Sequence, residues 1–309
     1  MGNYLGIDIG GTAVKWALLT DDYEVLERGD FPTSSVSSAE GMVESLVSVA
    51  EPFKGRFQAV GASVPGTIYE DDPAGTVHKG GSLPYMDGCP LGQELSERLG
   101  VPAAVENDGK GCVLGEYAAG ALKGIRNGVV LVVGTGIGGG ILIDGNVLRG
   151  VHGFAGEFSI LMNDVEAPFS ATNIFAESCS WRGLRAAVLK AKGLEDDPAY
   201  QDIDGRALFE WIDAGDEGAL AGLAAYAKPF AGMIINLQTT LDPEAFVIAG
   251  GISGHDSLVQ AIRDAVHERL AELPPGMIPE PRVERAQLGN DANFIGAILK
   301  VRRMMGEEA

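Results

Sequence analysis

The chain has 309 residues, 46% hydrophobic and 21% charged, enough for two globular domains of ordinary size, each with its own core. Lys and Arg number 23 against 43 Asp and Glu, and the resulting net charge of −20 repels phosphate backbones, which argues against nucleic acid as a partner. No apolar run approaches the roughly 20 residues that span a bilayer, so no membrane partner is expected. The opening "MGNYLGIDIGG" lacks the basic n-region of a secretory signal. It also carries Gly6 where a myristoylation signal needs Ser or Thr. Cys89, Cys112 and Cys179 lie far apart with no C-x-x-C pair, so neither a disulfide framework nor a zinc ribbon is indicated, and a reducing, cytoplasmic setting fits.

In chain order, "YLGIDIG", "AVKWALLT" and "EVLERGDF" read as strands. The link "GGT" is too short for a crossover, so the first two form an antiparallel hairpin. "SSAEGMVESLVSVAEPF" has helical spacing, with Met42, Leu46, Val49 and Ala50 on one side. "FQAVGASVPG" is a buried strand ending in a Pro-Gly turn, and "LGQELSERLG" is a helix closed by Gly100. "VPAAVEND" is a further strand and "GKGCVLGEYAAGAL" a further helix.

At "GVVLVVGTGIGGGILIDGNVL" the opening pattern returns: apolar strand, glycine turn, apolar strand, then an Asp144-Gly145 hairpin turn. Long helical segments are expected from about Asn173 to Lys192 and from about Gly205 to Thr240. "AFVIAGGIS" is a buried strand entering a helix through Gly250-Gly251. "SLVQAIRDAVHERLAEL" is amphipathic, "PRVERAQLG" is a last strand and "DANFIGAILKVRRMM" is a closing helix with basic residues in its last turn. The chain thus holds two α/β halves, each opening on a strand–glycine turn–strand hairpin, a structural repeat. A boundary near Tyr117–Gly120 divides 1–117, completed by the C-terminal helix 290–309, from 118–289.

Gly134, Gly136 and Gly139 satisfy G-x-G-x-x-G, but a dinucleotide site needs a helix after the glycines, and "GILIDGNVL" reads as a strand. A Walker loop fails on the same ground and also lacks Gly-Lys-Ser/Thr. What remains is a hairpin turn offering backbone N–H groups to an anion, a feature that gains weight from its repetition in the other half. "DIGGTAVK" adds Asp8, able to hold a metal-bound water near phosphate, with Thr12 and Lys15 as donors. Asp8 also reads as a turn-forming residue and Lys15 as a solvated strand residue.

"LGIDIGGTAVKWALL", "GASVPGTI", "VENDGKGCVLGE", "VVGTGIGGGILIDGNVLRG", "GFAGEF" and "VIAGGIS" occur in an order that resembles the ROK family of sugar kinases, within the hexokinase–actin–Hsp70 ATPase superfamily. The resemblance runs through nearly the whole chain. It implies two ribonuclease-H-like (actin-like ATPase) α/β domains with ATP and a sugar in the cleft between them. By motif position Gly10, Gly11 and Thr12, with Asp8 and Lys15, would hold ATP phosphate from one side, and Gly134, Thr135, Gly136 and Gly138 from the other. Gly250 and Gly251, in the stretch to Ser253, would border the adenosine, and Mg²⁺ would sit at Asp8, through water. The first strand begins at Asn3 or Tyr4, leaving no helix-turn-helix before it, so the kinase branch is expected over the repressor branch. The resemblance further suggests a homodimer.

Phosphoryl transfer needs phosphates held in line, charge neutralised by Mg²⁺ and a base on the attacking hydroxyl. Asp108 ends a strand that opens into a helix, and the resemblance implies that it is this base; the residues alone also allow a helix cap. By the same resemblance Asn107 and Glu157 are sugar-hydroxyl ligands, Gly66 brings backbone close to the sugar, and Glu177 matches a further sugar ligand. Alone, Asn107 and Gly66 read as turn residues and the two glutamates as surface charges. The family pattern continues Gly-Glu-Ile-Gly-His and then a cysteine cluster for a structural zinc. Here "GEFSIL" places Ile160 at the histidine position and no cysteine cluster follows, so no structural zinc site is expected and one sugar contact is missing. Zinc-free members resembling glucokinases or β-glucoside kinases share this trait. The expected activity is ATP-dependent phosphorylation of a hexose or glucoside hydroxyl. The rival is a sugar-sensing regulatory protein of the same fold that binds without turnover.

Overall fold

A computed structural model describes residues 2–307. The first elements are β1 (Tyr4–Ile9), β2 (Ala13–Leu19), β3 (Val25–Pro32), α1 (Ala39–Ala50), β4 (Ala59–Val64), α2 (Leu91–Leu99), β5 (Ala103–Asn107) and α3 (Asp108–Ala119). There follow β6 (Gly128–Val133), β7 (Ile137–Ile143), β8 (Asn146–Val147), α4 (Phe175–Cys179), α5 (Trp181–Lys192), α6 (Gly205–Asp213) and α7 (Glu217–Leu241). The chain ends through β9 (Ala245–Ala249), α8 (Asp256–Leu270), β10 (Val283–Arg285) and α9 (Ala292–Met304).

The strands form two five-stranded sheets, β3-β2-β1-β4-β5 and β8-β7-β6-β9-β10, which share one order. In each the opening hairpin is antiparallel and the next strands run parallel: β1 with β4 and β4 with β5, β6 with β9 and β9 with β10. Strands β1, β4 and β9 are buried along their whole length, because parallel strands covered on both faces need continuous apolar runs. Edge strand β3 is mostly exposed and accordingly charged.

By contacts the chain divides into two compact units. One comprises Met1–Gly124, Val147–Ala155 and Asn290–Ala309, the other Ile125–Asn146 and Gly156–Gly289. Residues 118–124 and the strap Val147–Ala155 therefore lie with the first unit, beyond the boundary read from the sequence. Ion pairing explains the strap: its Arg149 meets Glu106 of β5. The first core gathers Leu5, Ile7, Val60, Val64 and Leu95. Helix α9 packs on α3 and on β1, β4 and β5 although it closes the chain. The two helices approach so closely that a Cβ on Gly296 would stand 1.9 Å from Gly111 O.

The second core centres on Val129, Leu131, Phe175, Phe230 and Ile248. Helix α7 spans 25 residues and is apolar enough to cross a bilayer, but half of its most apolar window is buried inside this core. The two long helical segments expected here are each broken. Ser180, extended at ψ 177°, separates α4 from α5, and α4 begins only at Phe175. Ala214, Gly215 and Asp216 separate α6 from α7, where the Asp216 carboxylate accepts the Ala219 N–H at 2.8 Å and starts a new helix. The helix after "AFVIAGGIS" begins at Asp256, because Gly250–Gly254 form turns, with Ser253 N–H donating to Gly250 O.

Candidate active site

In the first unit, β1 carries Asp8 to the sheet's upper end, between Lys15 of β2 and Ser63 of β4 in register. Asp8 is 8% exposed, and Asn293 Nδ2, at the start of α9, donates to its Oδ1 at 3.0 Å. Burial raises the Asp8 pKa above the ordinary carboxylate value, against the Asn293 hydrogen bond and the Lys15 charge. The turn beyond closes through Gly10 N–H to Ala13 O at 3.0 Å. Its carbonyls are held back: Thr33 Oγ1 donates to Gly10 O at 2.6 Å and Thr33 N–H to Thr12 O at 3.0 Å. Gly11 and Thr12 stand exposed at the tip.

At the end of β5, Asn107 is the hub. Its Oδ1 accepts the Lys110 N–H at 3.1 Å, so Asn107, and not Asp108, caps α3. Its Nδ2 donates to Gly66 O and to Asp108 Oδ1, both at 2.9 Å. Gly66 has φ +117°, and a Cβ there would stand 2.8 Å from His78 O, so only glycine brings this carbonyl to Asn107. Asp108 Oδ1 also accepts the Gly109 N–H at 2.8 Å. Gly66, Asn107 and Asp108 thus form one hydrogen-bonded group.

In the second unit, the turn Gly134–Gly136 closes through Gly134 N–H to Gly136 O at 2.9 Å, and Trp181 N–H donates to Gly134 O at 3.0 Å. Ser159 Oγ pins the start of β7 through Ile137 N and O, at 2.9 and 3.0 Å. Gly134, Thr135 and Gly138 are exposed, and Gly250 lies against the backbone of Val133, beside this turn, with exposed Gly251 following. Glu157 and Glu177 are both exposed. They sit on adjoining elements, since Phe175 N–H, at the start of α4, donates to Leu161 O at 2.7 Å, just past the short turn Phe158–Ile160. Phe158 anchors that turn in the core while Ile160 is 40% exposed, so the position the resemblance assigns to histidine is not absorbed into packing. Among the described residues no three His, Cys, Asp or Glu side chains cluster as a metal site.

Sequence reasoning missed the groups behind Asn107. Glu106 is wholly buried and meets Arg149 Nη1 and Nη2 at 2.9 and 2.5 Å and Lys300 Nζ at 3.2 Å. Burial alone would raise its pKa, but Lys300 and Arg149 outweigh it and hold the carboxyl below its ordinary value. The one signal was a glutamate in the otherwise apolar "PAAVE"; its partners lie too far along the chain to be inferred.

Two sheets of one order, each opening on a glycine hairpin and joined by helices, define a duplicated α/β fold of the actin-like ATPase type. The ROK family profile matches residues 4–303, and the chain belongs to that family. It is 30% identical to a glucokinase of Halalkalibacterium halodurans, over 95% of this chain and 93% of that one. It is 29% identical to an N-acetylmannosamine kinase of Citrobacter koseri, over 96% and 97%. The structure of a ROK family glucokinase from Streptomyces griseus in complex with glucose and AMPPNP superposes with a TM-score of 0.80 at 26% identity, covering 98% of this chain and 100% of that one.

Proposed function

We propose that the protein is an ATP-dependent sugar kinase that transfers the γ-phosphoryl group to a hydroxyl of a hexose or glucoside, with Asp108 as general base. The observation that carries this reading is the Gly66–Asn107–Asp108 group, in which one amide orients a carboxylate at the open end of a buried strand. Asp108 takes the proton of the attacking hydroxyl, while Asn107, Gly66, Glu157 and Glu177 orient the sugar. The backbone of Gly10–Thr12 and of Gly134–Gly138, with Lys15, holds the ATP phosphates, and Gly250 and Gly251 border the adenosine. The exposed tips are mostly glycine, which fits this task, because a glycine puts no side chain between a phosphate and its amide. Mg²⁺, when bound, neutralises charge developing on the phosphates. It usually keeps several waters and takes one or two carboxylates, which a single Asp8 satisfies.

The named relatives act on glucose and on an amino sugar, so the sugar is to be found by measurement. The test is ADP release in a coupled assay across glucose, β-glucosides, N-acetylmannosamine, allose and fructose. Sugar-dependent ADP release that Asp108→Asn lowers by roughly 10²- to 10⁴-fold is the expected result. Sugar binding without ADP release by the wild type would favour the non-catalytic sensor, a reading motivated by exposed Ile160. The proposal includes a homodimer, to be read by light scattering. It also includes a reducing, cytoplasmic setting, supported by three buried and unpaired cysteines, and no role for nucleic acid at a net charge of −20.

A further inference from the structure

Glu106 is a wholly buried carboxylate held by two cations, Arg149 and Lys300. A buried ion pair is weak support for stability, because desolvating two charges cancels most of their attraction. Its geometry has a direction, however. Glu106 Oε1 accepts the backbone N–H of Asn107 at 2.8 Å and Arg149 Nη1 at 2.9 Å, while Oε2 takes Arg149 Nη2 at 2.5 Å and Lys300 Nζ at 3.2 Å. The third donor of the fork, Arg149 Nε, meets Glu70 at 2.5 Å. A second tie lies four residues along both segments: buried Lys110 donates from Nζ to Gly153 O at 3.1 Å. The strap Val147–Ala155 is thus fastened on either side of the pair Asn107–Asp108, at Glu106 and at Lys110.

We infer that Arg149 is a positioning residue for the proposed reaction. The inference rests on Asp108 being the general base. The guanidinium fork fixes both oxygens of Glu106 and turns the carboxylate back onto the Asn107 N–H. That bond sets the backbone from which Asn107 reaches Gly66 O and Asp108 Oδ1. A planar fork can hold a carboxylate at two points, which a single ammonium cannot. Loss of the fork leaves Asn107 and Asp108 in place along the chain but free to shift by the fraction of an ångström that phosphoryl transfer does not tolerate.

The test compares wild type, Arg149→Met, Arg149→Lys, Glu106→Gln and Asp108→Asn, with kcat expressed per nucleotide-binding site titrated by mant-ADP. A purely structural role lowers the number of sites and leaves kcat per site unchanged. Positioning lowers kcat per site by roughly 10- to 100-fold in Arg149→Met, with KM for ATP within about twofold. Arg149→Lys should fall between, and Glu106→Gln combined with Arg149→Met should be no worse than the poorer single change, because both act through one contact. A kcat per site within about twofold of wild type in Arg149→Met overturns the inference. If that variant does not fold, wild-type kcat per site in Arg149→Lys overturns it instead. A wild type silent on all sugars, or an Asp108→Asn variant that turns over normally, would instead sink the reading of Asp108.

Discussion

The two glycine turns hold equivalent places in sheets of the same order, yet their chemistry differs. In the first unit Asp8 stands two residues before Gly10 and faces Lys15 across the hairpin; in the second the same place is Val132, facing Gly138. Ile9 pairs with Val14 whereas Val133 pairs with Ile137, so the second turn is one residue tighter. The far strands differ in the same sense. Strand β5 ends in Glu106 and Asn107, with Asp108 opening α3, while its counterpart β10 is three residues long and ends in Arg285, paired with Asp256 at 2.9 Å. A duplicated topology fixes where backbone amides are offered. Side chains added to one copy place Asp8, Lys15 and Asp108 in that unit, where the proposed proton chemistry lies, while the proposed role of the other turn rests on backbone alone.

That division can be broken at four points. Asp108→Asn should lower kcat by roughly 10²- to 10⁴-fold with sugar binding retained, read by coupled ADP assay and by calorimetry. No residue of the second unit is proposed to substitute for it, so normal turnover would remove Asp108 as the base.

Asp8→Asn should cut turnover by about tenfold or more by removing the carboxylate proposed for Mg²⁺. It should also raise Tm at pH 7. The folded pKa of Asp8 lies above the unfolded one, so ionised Asp8 opposes folding once pH exceeds both values. Asn keeps the acceptor for Asn293, and the gain in Tm should vanish below about pH 3.5, where Asp is protonated in both states. A Tm at pH 7 lower than wild type would show that the ionised group stabilises the fold.

Gly134→Ala tests the backbone cradle alone. Its Cβ would find its nearest neighbour, Gly136 O, at 3.9 Å, so Tm should hold while KM for ATP rises by about tenfold. An unchanged KM would remove this turn from nucleotide binding. The smallest effect concerns Glu106, whose depressed pKa contributes stability that is complete above the unfolded value of about 4.3 and is lost as pH falls through the folded value. Thermal melts from pH 6 to pH 3 should therefore decline less steeply in Glu106→Gln than in wild type.

The hairpins were legible because their determinants are local: a three-residue link cannot cross over, and Asp144-Gly145 adopts the positive φ values, 50° and 76°, that such a turn requires. The glycine tips and the strand-end Asn107–Asp108 pair were legible for the same reason. Helix breaks were not, although "AGDEG" carried the cap, because apolar spacing continues across the break and masks it.

The sequence by itself determined the two halves, their opening hairpins and the residues that stand at the strand ends. Only the tertiary structure decided what holds them. Asn293 reaches Asp8 across 285 residues, Arg149 reaches Glu106 across 43, and the strap that carries Arg149 lies with the first unit. The physical reason is the cost of burying charge. A carboxylate placed inside a sheet must find donors, and where those donors lie is set by how helices and straps pack, which no local pattern encodes.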